Sequence, residues 1–165
     1  MSKILSVCGI SGSGKTTTIE YIIRELTGRG YKVGSVKEIH FQGFTMDPNP
    51  ASNTNRHRNA GAQLVCARGL TETNLLFPGK LPMQKILEFY AQDYDYVVLE
   101  GVTDICVPTI STACSQADLN PNDTTFCISG VISATIESHN GIPAINALTD
   151  IAKLVDLIEQ KAYAV

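Results

Sequence analysis

Gly9-Ile10-Ser11-Gly12-Ser13-Gly14-Lys15-Thr16 satisfies G-x-x-x-x-G-K-[ST] at every fixed position, and its reading decides the fold. Each position has a chemical reason. The glycines let the backbone curl until successive N–H groups point inward at phosphate oxygens, and Lys15 adds a mobile positive charge. The Thr16 hydroxyl is suited to the magnesium ion that travels with a nucleoside triphosphate. An apolar run, Ile4-Leu5-Ser6-Val7-Cys8, precedes the loop and a helical pattern follows it. Strand, glycine-rich loop, helix is the confirming context, and the helix aims its positive end at the same phosphates. Gly9, Ser11, Gly12, Ser13, Gly14, Lys15, Thr16 and Thr17 are therefore the expected phosphate contacts. Lys15 is also expected to act in catalysis, and Thr16 to hold the metal.

Moving outward, Ile19, Ile22, Ile23 and Leu26 stand at i, i+3, i+4, i+7 and predict a helix from Lys15 to about Thr27. Glu20–Arg24 and Glu25–Arg29 are spaced four apart on its wet side, and Gly28 and Gly30 end it. Tyr31–Val36 predicts a second strand, parallel to the first by the handedness of β-α-β units. The stretch from Lys37 to Arg58 is polar and lacks periodicity, which predicts a long functional loop beside the phosphates. It offers Lys37, His40, Asp47, Arg56, His57 and Arg58 as phosphate, metal or proton-transfer groups.

Farther along, 60–67 and 73–77 predict two short strands, and Leu81-Pro82 opens a helix striped by Met83, Ile86, Leu87 and Tyr90. Tyr96-Val97-Val98-Leu99 is short, apolar and β-rich, which describes a strand buried on both faces. Glu100 at its end is placed as a Walker B acid whose carboxylate reaches magnesium. Residues 102–123 are irregular, 125–132 predict a buried strand, and 142–145 a short one. From Thr149 a last helix, with Ile151, Leu154, Val155 and Ile158 as its stripe, runs to about Lys161.

The composition bounds the function. At 165 residues, 44% hydrophobic and 18% charged, the chain suits a single nucleotide-binding domain over 1–165. A net charge of −3 argues against nucleic-acid binding, and no apolar run has the roughly 18–20 residues of a membrane span. With no basic-plus-apolar leader at the start, a cytoplasmic protein is expected. Five cysteines with no C-x-x-C fit reduced thiols. Cys8, Cys66 and Cys127 read as core residues, whereas Cys106 and Cys114 lie in a Pro/Ser/Thr-rich stretch and could bind metal or sense redox state.

Together these segments predict an α/β P-loop NTPase fold, a mostly parallel sheet with helices on both faces. The phosphate loop, Lys37, Arg56-His57-Arg58-Asn59-Ala60-Gly61-Ala62, Val97–Gly101 and the closing strand and helix also resemble the MobB family. Members of that family are GTP-binding adaptors of molybdopterin-guanine dinucleotide biosynthesis. The resemblance covers essentially the whole chain. It implies GTP with magnesium, weak hydrolysis, a homodimer, and partnership with the guanylyltransferase that joins GMP to the pterin. It also implies phosphate and magnesium contacts at Lys15 and Thr16, the Walker B acid at Glu100, and a catalytic loop acid near the nucleotide at Asp47. Three positions depart from the family pattern: Lys37-Glu38 replaces Lys-His, Ser52-Asn53-Thr54 replaces Lys-Asp-Ser, and Val102-Thr103 replaces Phe-Lys.

No Asn/Thr-Lys-x-Asp guanine-reading pattern occurs in the chain, which leaves ATP open beside GTP. Two other function classes stay open as well. One is a small-molecule kinase, with Arg56 or Arg58 stabilising transferred charge. The other is a paralogue for metallocofactor assembly or metal insertion, using His40, His57, Cys106 or Cys114.

Overall fold

The elements follow the chain in the order β1 (Lys3–Gly9), α1 (Lys15–Gly28), β2 (Val33–Lys37), α2 (Asn53–Asn59), β3 (Val65–Arg68), β4 (Thr73–Leu76), α3 (Met83–Glu88), β5 (Tyr96–Glu100), β6 (Thr109–Thr112), β7 (Thr125–Ser129), β8 (Ser138–His139), β9 (Ile142–Pro143), α4 (Ile151–Lys161) and β10 (Tyr163–Ala164). They are seen in a computed structural model that describes residues 1–164. The chain gathers into two compact units, Met1–Glu38 with the described residues from Leu87 onward, and Ile39–Ile86. In sequence the second is inserted in the first, between β2 and β5.

The first unit is built on a six-stranded sheet, with five strands in the order β2-β5-β1-β6-β7, each parallel to its neighbours, and β10 as the sixth. β10 adds an antiparallel contact, to Lys3 and Ile4 at the start of β1. β1 and β2 are parallel, as the β-α-β reading requires, but β5 lies between them. Burial explains that placement. Tyr96, Val97, Val98 and Leu99 are all buried, so this strand needs cover on both faces and neighbours on both edges.

One face of the sheet carries α1 and α4. Leu5, Val7, Tyr96, Val98, Ile110 and Cys127 form a continuous core with Ile19, Ile22 and Leu26 of α1 and Leu154, Val155 and Ile158 of α4. Each fully buried aliphatic side chain there contributes about 1.5–3 kcal/mol of transfer free energy. Arg29, just past α1, ties the two helices together through Asp156 (2.7 Å), Glu25 (3.0 Å) and Glu159 (3.3 Å). The Glu25–Arg29 pair thus forms as its spacing predicts, whereas Arg24 lies over the Tyr21 ring, 5.3 Å from its centroid. On the opposite face Ile4, Val97 and Leu99 are buried, and the Tyr90 ring lies against Gly34 in the same register row.

The largest correction concerns 102–123, expected to be irregular. Thr109–Thr112 is a central strand, paired to β1 on one side and β7 on the other. Thr-Ile-Ser-Thr has little hydrophobic signal but can be buried because its hydroxyls find partners: Thr109 donates to the Val107 carbonyl and Thr112 to that of Cys8. β7 stops at Ser129 rather than 132, where Gly130 turns the chain. β10 also went unforeseen.

In the unit of 39–86 the expected long loop contains a short helix, and the two expected short strands pair as a hairpin. α2 occupies 53–59 with no buried residue, so no stripe announces it. It is held instead by its end: the Ser52 hydroxyl accepts from the Asn55 N–H (3.2 Å) as an N-cap and donates to Asp47 (2.5 Å). β3 and β4 pair antiparallel, with β3 starting at Val65 rather than at Ala60. Cys66, on β3, is exposed and not a core residue. Cys127 is buried, and that burial pushes its thiol up to about 12.

Candidate functional site

The phosphate loop joins the C-terminal end of β1, at the middle of the sheet, to the first turn of α1, where open parallel sheets bind ligands. Its curl requires glycine at Gly9. With φ of 153°, a Cβ there would come within 2.1 Å of the Thr112 carbonyl oxygen. Gly14, the N-cap of α1, brings no side chain to its end, so the first-turn N–H groups lack a side-chain cap. An uncapped N-terminus carrying about half an elementary charge is a ready anion site.

The loop side chains divide by direction. Ser11, Gly12, Thr16 and Thr17 are exposed, but Ser13 is fully buried. Ser13 Oγ donates to the Ile10 carbonyl and shares a hydrogen bond with Thr112 Oγ1, both at 2.7 Å. What the Ser13 side chain supplies is the shape of the loop. Lys15 folds back, its Nζ donating to the carbonyls of Gly9 (2.7 Å) and Ile10 (2.6 Å).

Beside the loop stand three groups from three elements. Thr16 Oγ1 donates to Glu100 Oε1 at 3.0 Å, and Lys37 Nζ donates to the same oxygen at 2.7 Å. The register explains the meeting. Lys37 and Glu100 are Cα partners at the ends of β2 and β5, so both side chains project toward the face where α1 begins. Burial alone would push the Glu100 carboxyl up. The hydrogen bonds from Lys37 and Thr16, with the charges of Lys37 and Lys15, outweigh it and hold the group below the usual carboxylate range.

That shift has a consequence for stability. A carboxyl held low in the fold contributes stability that is fully present above its ordinary value of 4.5 and is lost as pH falls through the folded value. The melting temperature of the wild type should therefore fall in acid below about pH 4.5, and Glu100→Gln should flatten part of that fall. An identical acid profile for the two proteins would contradict the assignment.

Thr16 and Glu100 together form an oxygen donor pair of the kind a hard divalent cation takes. Elsewhere, no group of three or more His, Cys, Asp and Glu gathers as a metal site among the described residues. Cys106 and Cys114 are exposed and free.

In the 39–86 unit, the Asp47 carboxylate accepts from Ser52 and Thr54, and from the Asn49 N–H at 3.3 Å. Ser52 first and Thr54 next hold it below the usual range. It thereby organises the entrance to α2. Arg56 and His57 are exposed on that helix, and Arg58 is half-buried with a bond to Asn55 of 3.2 Å.

Sequence reasoning missed two contributors to the loop. Thr112 pins Ser13, and Gly130, after β7, lies directly against the loop, with the Val131 N–H donating to the Ser13 carbonyl at 3.1 Å. A glycine immediately after a buried strand was the available signal for the second.

Comparison with known proteins places this geometry. A family model described as "Molybdopterin guanine dinucleotide synthesis protein B", MobB, matches residues 4–137. A probable molybdopterin-guanine dinucleotide biosynthesis adapter protein of Bacillus subtilis is 24% identical over 87% of this chain and 85% of its own. The corresponding adapter protein of Haemophilus influenzae is 28% identical over 65% of this chain and 61% of its own. Among solved structures, Bacillus subtilis MobB superposes with a TM-score of 0.75 at 24% identity, covering 99% of each chain. A MobB homologue from Bacillus stearothermophilus gives 0.69 at 20% identity, covering 95% of this chain and 96% of that one. These two likenesses speak to the fold, a P-loop α/β architecture. With the family model covering most of its length, the chain belongs to the MobB family.

Proposed function

We propose that this protein is a nucleotide-binding adaptor of molybdopterin-guanine dinucleotide biosynthesis, binding GTP with magnesium, hydrolysing it slowly and acting through the guanylyltransferase. The observation that carries the nucleotide part is the meeting of Thr16, Glu100 and Lys37 beside a complete phosphate loop. The pathway rests on family membership and on the names of the relatives.

In this reading the backbone N–H groups of 9–17 cradle the phosphates, and Lys15 exchanges the Gly9 and Ile10 carbonyls for phosphate oxygens. Thr16 and Glu100 would hold magnesium, which when bound neutralises charge on the terminal phosphates. The hydrogen bonds from Thr16 and Lys37 to the Glu100 carboxylate both fall on Oε1, so its second oxygen can serve the cation or its water shell. Lys37, 56% exposed, can leave Glu100 to meet a phosphate. Arg56 is proposed as a further phosphate contact, and Asp47 as a catalytic acid. A cytoplasmic homodimer completes the proposal.

Weak hydrolysis is expected of a site in which the Glu100 carboxylate is engaged by Thr16 and Lys37. Glu100→Gln keeps the size of the side chain and removes its charge, so magnesium-dependent hydrolysis should fall by about tenfold or more with the fold intact. Turnover assays of both proteins check this, and unchanged turnover would move the metal role away from Glu100. A pull-down in the presence of GTP should recover a molybdopterin guanylyltransferase; failure to bind that enzyme in any nucleotide state would refute the adaptor reading.

A further inference from the structure

On the sheet face away from α1 and α4, the ends of β1 and β6 present polar side chains. Val7 and Ile110 are paired in register and belong to the core beneath the helices. Their successors Cys8 and Ser111, also paired, therefore face the other way. There a cleft of about 360 Å³ opens against the start of the phosphate loop, lined among others by Ile10, Ile105, Ser111, Asp118, Asn120 and Asn122. We infer that this cleft seats the amino-oxo pyrimidine ring of a pterin, held beside the bound nucleotide and not in its place. The choice of ligand rests on the pathway proposed above.

Ser111 carries the argument. It is only 6% exposed, yet its hydroxyl has no hydrogen-bond partner among the described residues. Its neighbours on the same face are served. Ser6 Oγ donates to the Val102 carbonyl at 3.3 Å, Cys8 Sγ to the same carbonyl at 3.4 Å, and Thr109 Oγ1 to that of Val107 at 2.9 Å. Leaving a buried hydroxyl unpaired is unfavourable, and a ligand in the cleft relieves it.

The lining selects the charge and shape of that ligand. Asp118 lines the cleft and, among the described residues, no Lys, Arg or His does, so a neutral group rich in donors suits it and a phosphate does not. The Ser115 N–H (3.0 Å) and hydroxyl (2.8 Å) both donate to Asp118 Oδ2, which leaves Oδ1 to accept. Asn122 Oδ1 accepts from the Thr124 N–H and from the hydroxyls of Thr124 and Thr125, so its amide NH2 is the end left to donate. A ring with adjacent N–H and NH2 donors beside an oxo acceptor matches this set. The carboxylate takes the donors, and Asn122 and Ser111 serve the oxo group. Ile10 and Ile105 give apolar cover to its faces. Guanine carries the same edge, but the phosphates of a nucleotide would meet Asp118 with no cation in the lining to balance them.

Pterins fluoresce, so neopterin is its own probe. Titrated against the full chain, with and without saturating GTP and magnesium, it should bind at about one per chain in both conditions. Lumazine, with oxygen in place of the amino group, should bind about tenfold or more weakly. Ser111→Ala removes a hydroxyl that holds nothing in the free protein. Its melting temperature should stay within about 2 °C of wild type while neopterin affinity falls about tenfold. Asp118→Asn, checked by melting because Asp118 also bonds Ser115, should bring neopterin and lumazine to within about threefold. Absence of neopterin binding, its displacement by GTP, or wild-type affinity and preference in both variants would overturn the pterin seat. If the seat fails, recovery of the guanylyltransferase by the same preparation leaves the pathway reading standing, and failure to recover it takes that reading down as well.

Discussion

Lys15→Ala should abolish tight triphosphate binding while leaving the protein folded. The Nζ group makes two hydrogen bonds, both to loop carbonyls, and Lys15 is only half-buried. Removing it leaves those carbonyls within reach of water, so thermal stability should change little. The bound state loses more. Hydrogen bonds to charged groups contribute about 1.5–3 kcal/mol each, so losing a lysine that spans two phosphates should weaken GTP by about 100-fold or more. Calorimetric affinity and thermal melting of the same preparation separate the two effects. Wild-type affinity in the variant would refute the assignment of the loop.

Gly130→Ala should do the reverse and strike the fold first. At φ 74° the residue is in the left-handed region, and an added Cβ would come within 2.1 Å of the Ser13 carbonyl oxygen and 2.9 Å of Thr112 Cβ. Both neighbours are held: Ser13 by Ile10 and Thr112, and Thr112 within the sheet. Overpacking and backbone strain at such a site cost about 2–4 kcal/mol together. For a chain of this length the melting temperature should drop by about 5–15 °C. Nucleotide binding should suffer as a consequence, since the shape of the loop depends on that contact. A melting curve that matches wild type would show that the turn after β7 is free to move, against the close packing seen here.

The contrast between these two residues shows what was legible in the chain. Lys15 belongs to a contiguous motif whose spacing follows from phosphate chemistry, so it can be read without any tertiary information. The same holds for α1 and α4, whose buried stripes recur at helical spacing, and for β5, whose apolar run leaves no other reading. Glu100 was legible because it ends that run. Its partnership with Lys37 was not, since it depends on β2 and β5 being neighbours in register, a choice made by the whole sheet. Gly130 acts across more than 100 residues, and its neighbour Thr112 sits on a strand whose hydroxyl-rich sequence hides its burial. α2 escaped notice for the opposite reason. It buries nothing, and its hold comes from the Ser52 cap and the Asp47 cluster, local hydrogen bonds that periodicity does not register.

Asp47 illustrates the same limit at the level of the site. Resemblance assigns it to the nucleotide, while its carboxylate in this structure is engaged by Ser52, Thr54 and Asn49. An acid held in this way shapes a segment whatever else it does. Cys106 and Cys114, conspicuous in the sequence, lie exposed, and neither belongs to a group of three metal-ligating side chains among the described residues.

The most direct test is a calorimetric titration of the wild-type chain with GTP, performed with magnesium and again with the metal chelated. Saturation at about one nucleotide per chain, with affinity falling by about tenfold or more when magnesium is removed, is the expected result. A chain that takes up no GTP in either condition, or binds it equally well without the metal, would contradict the site built from Lys15, Thr16 and Glu100.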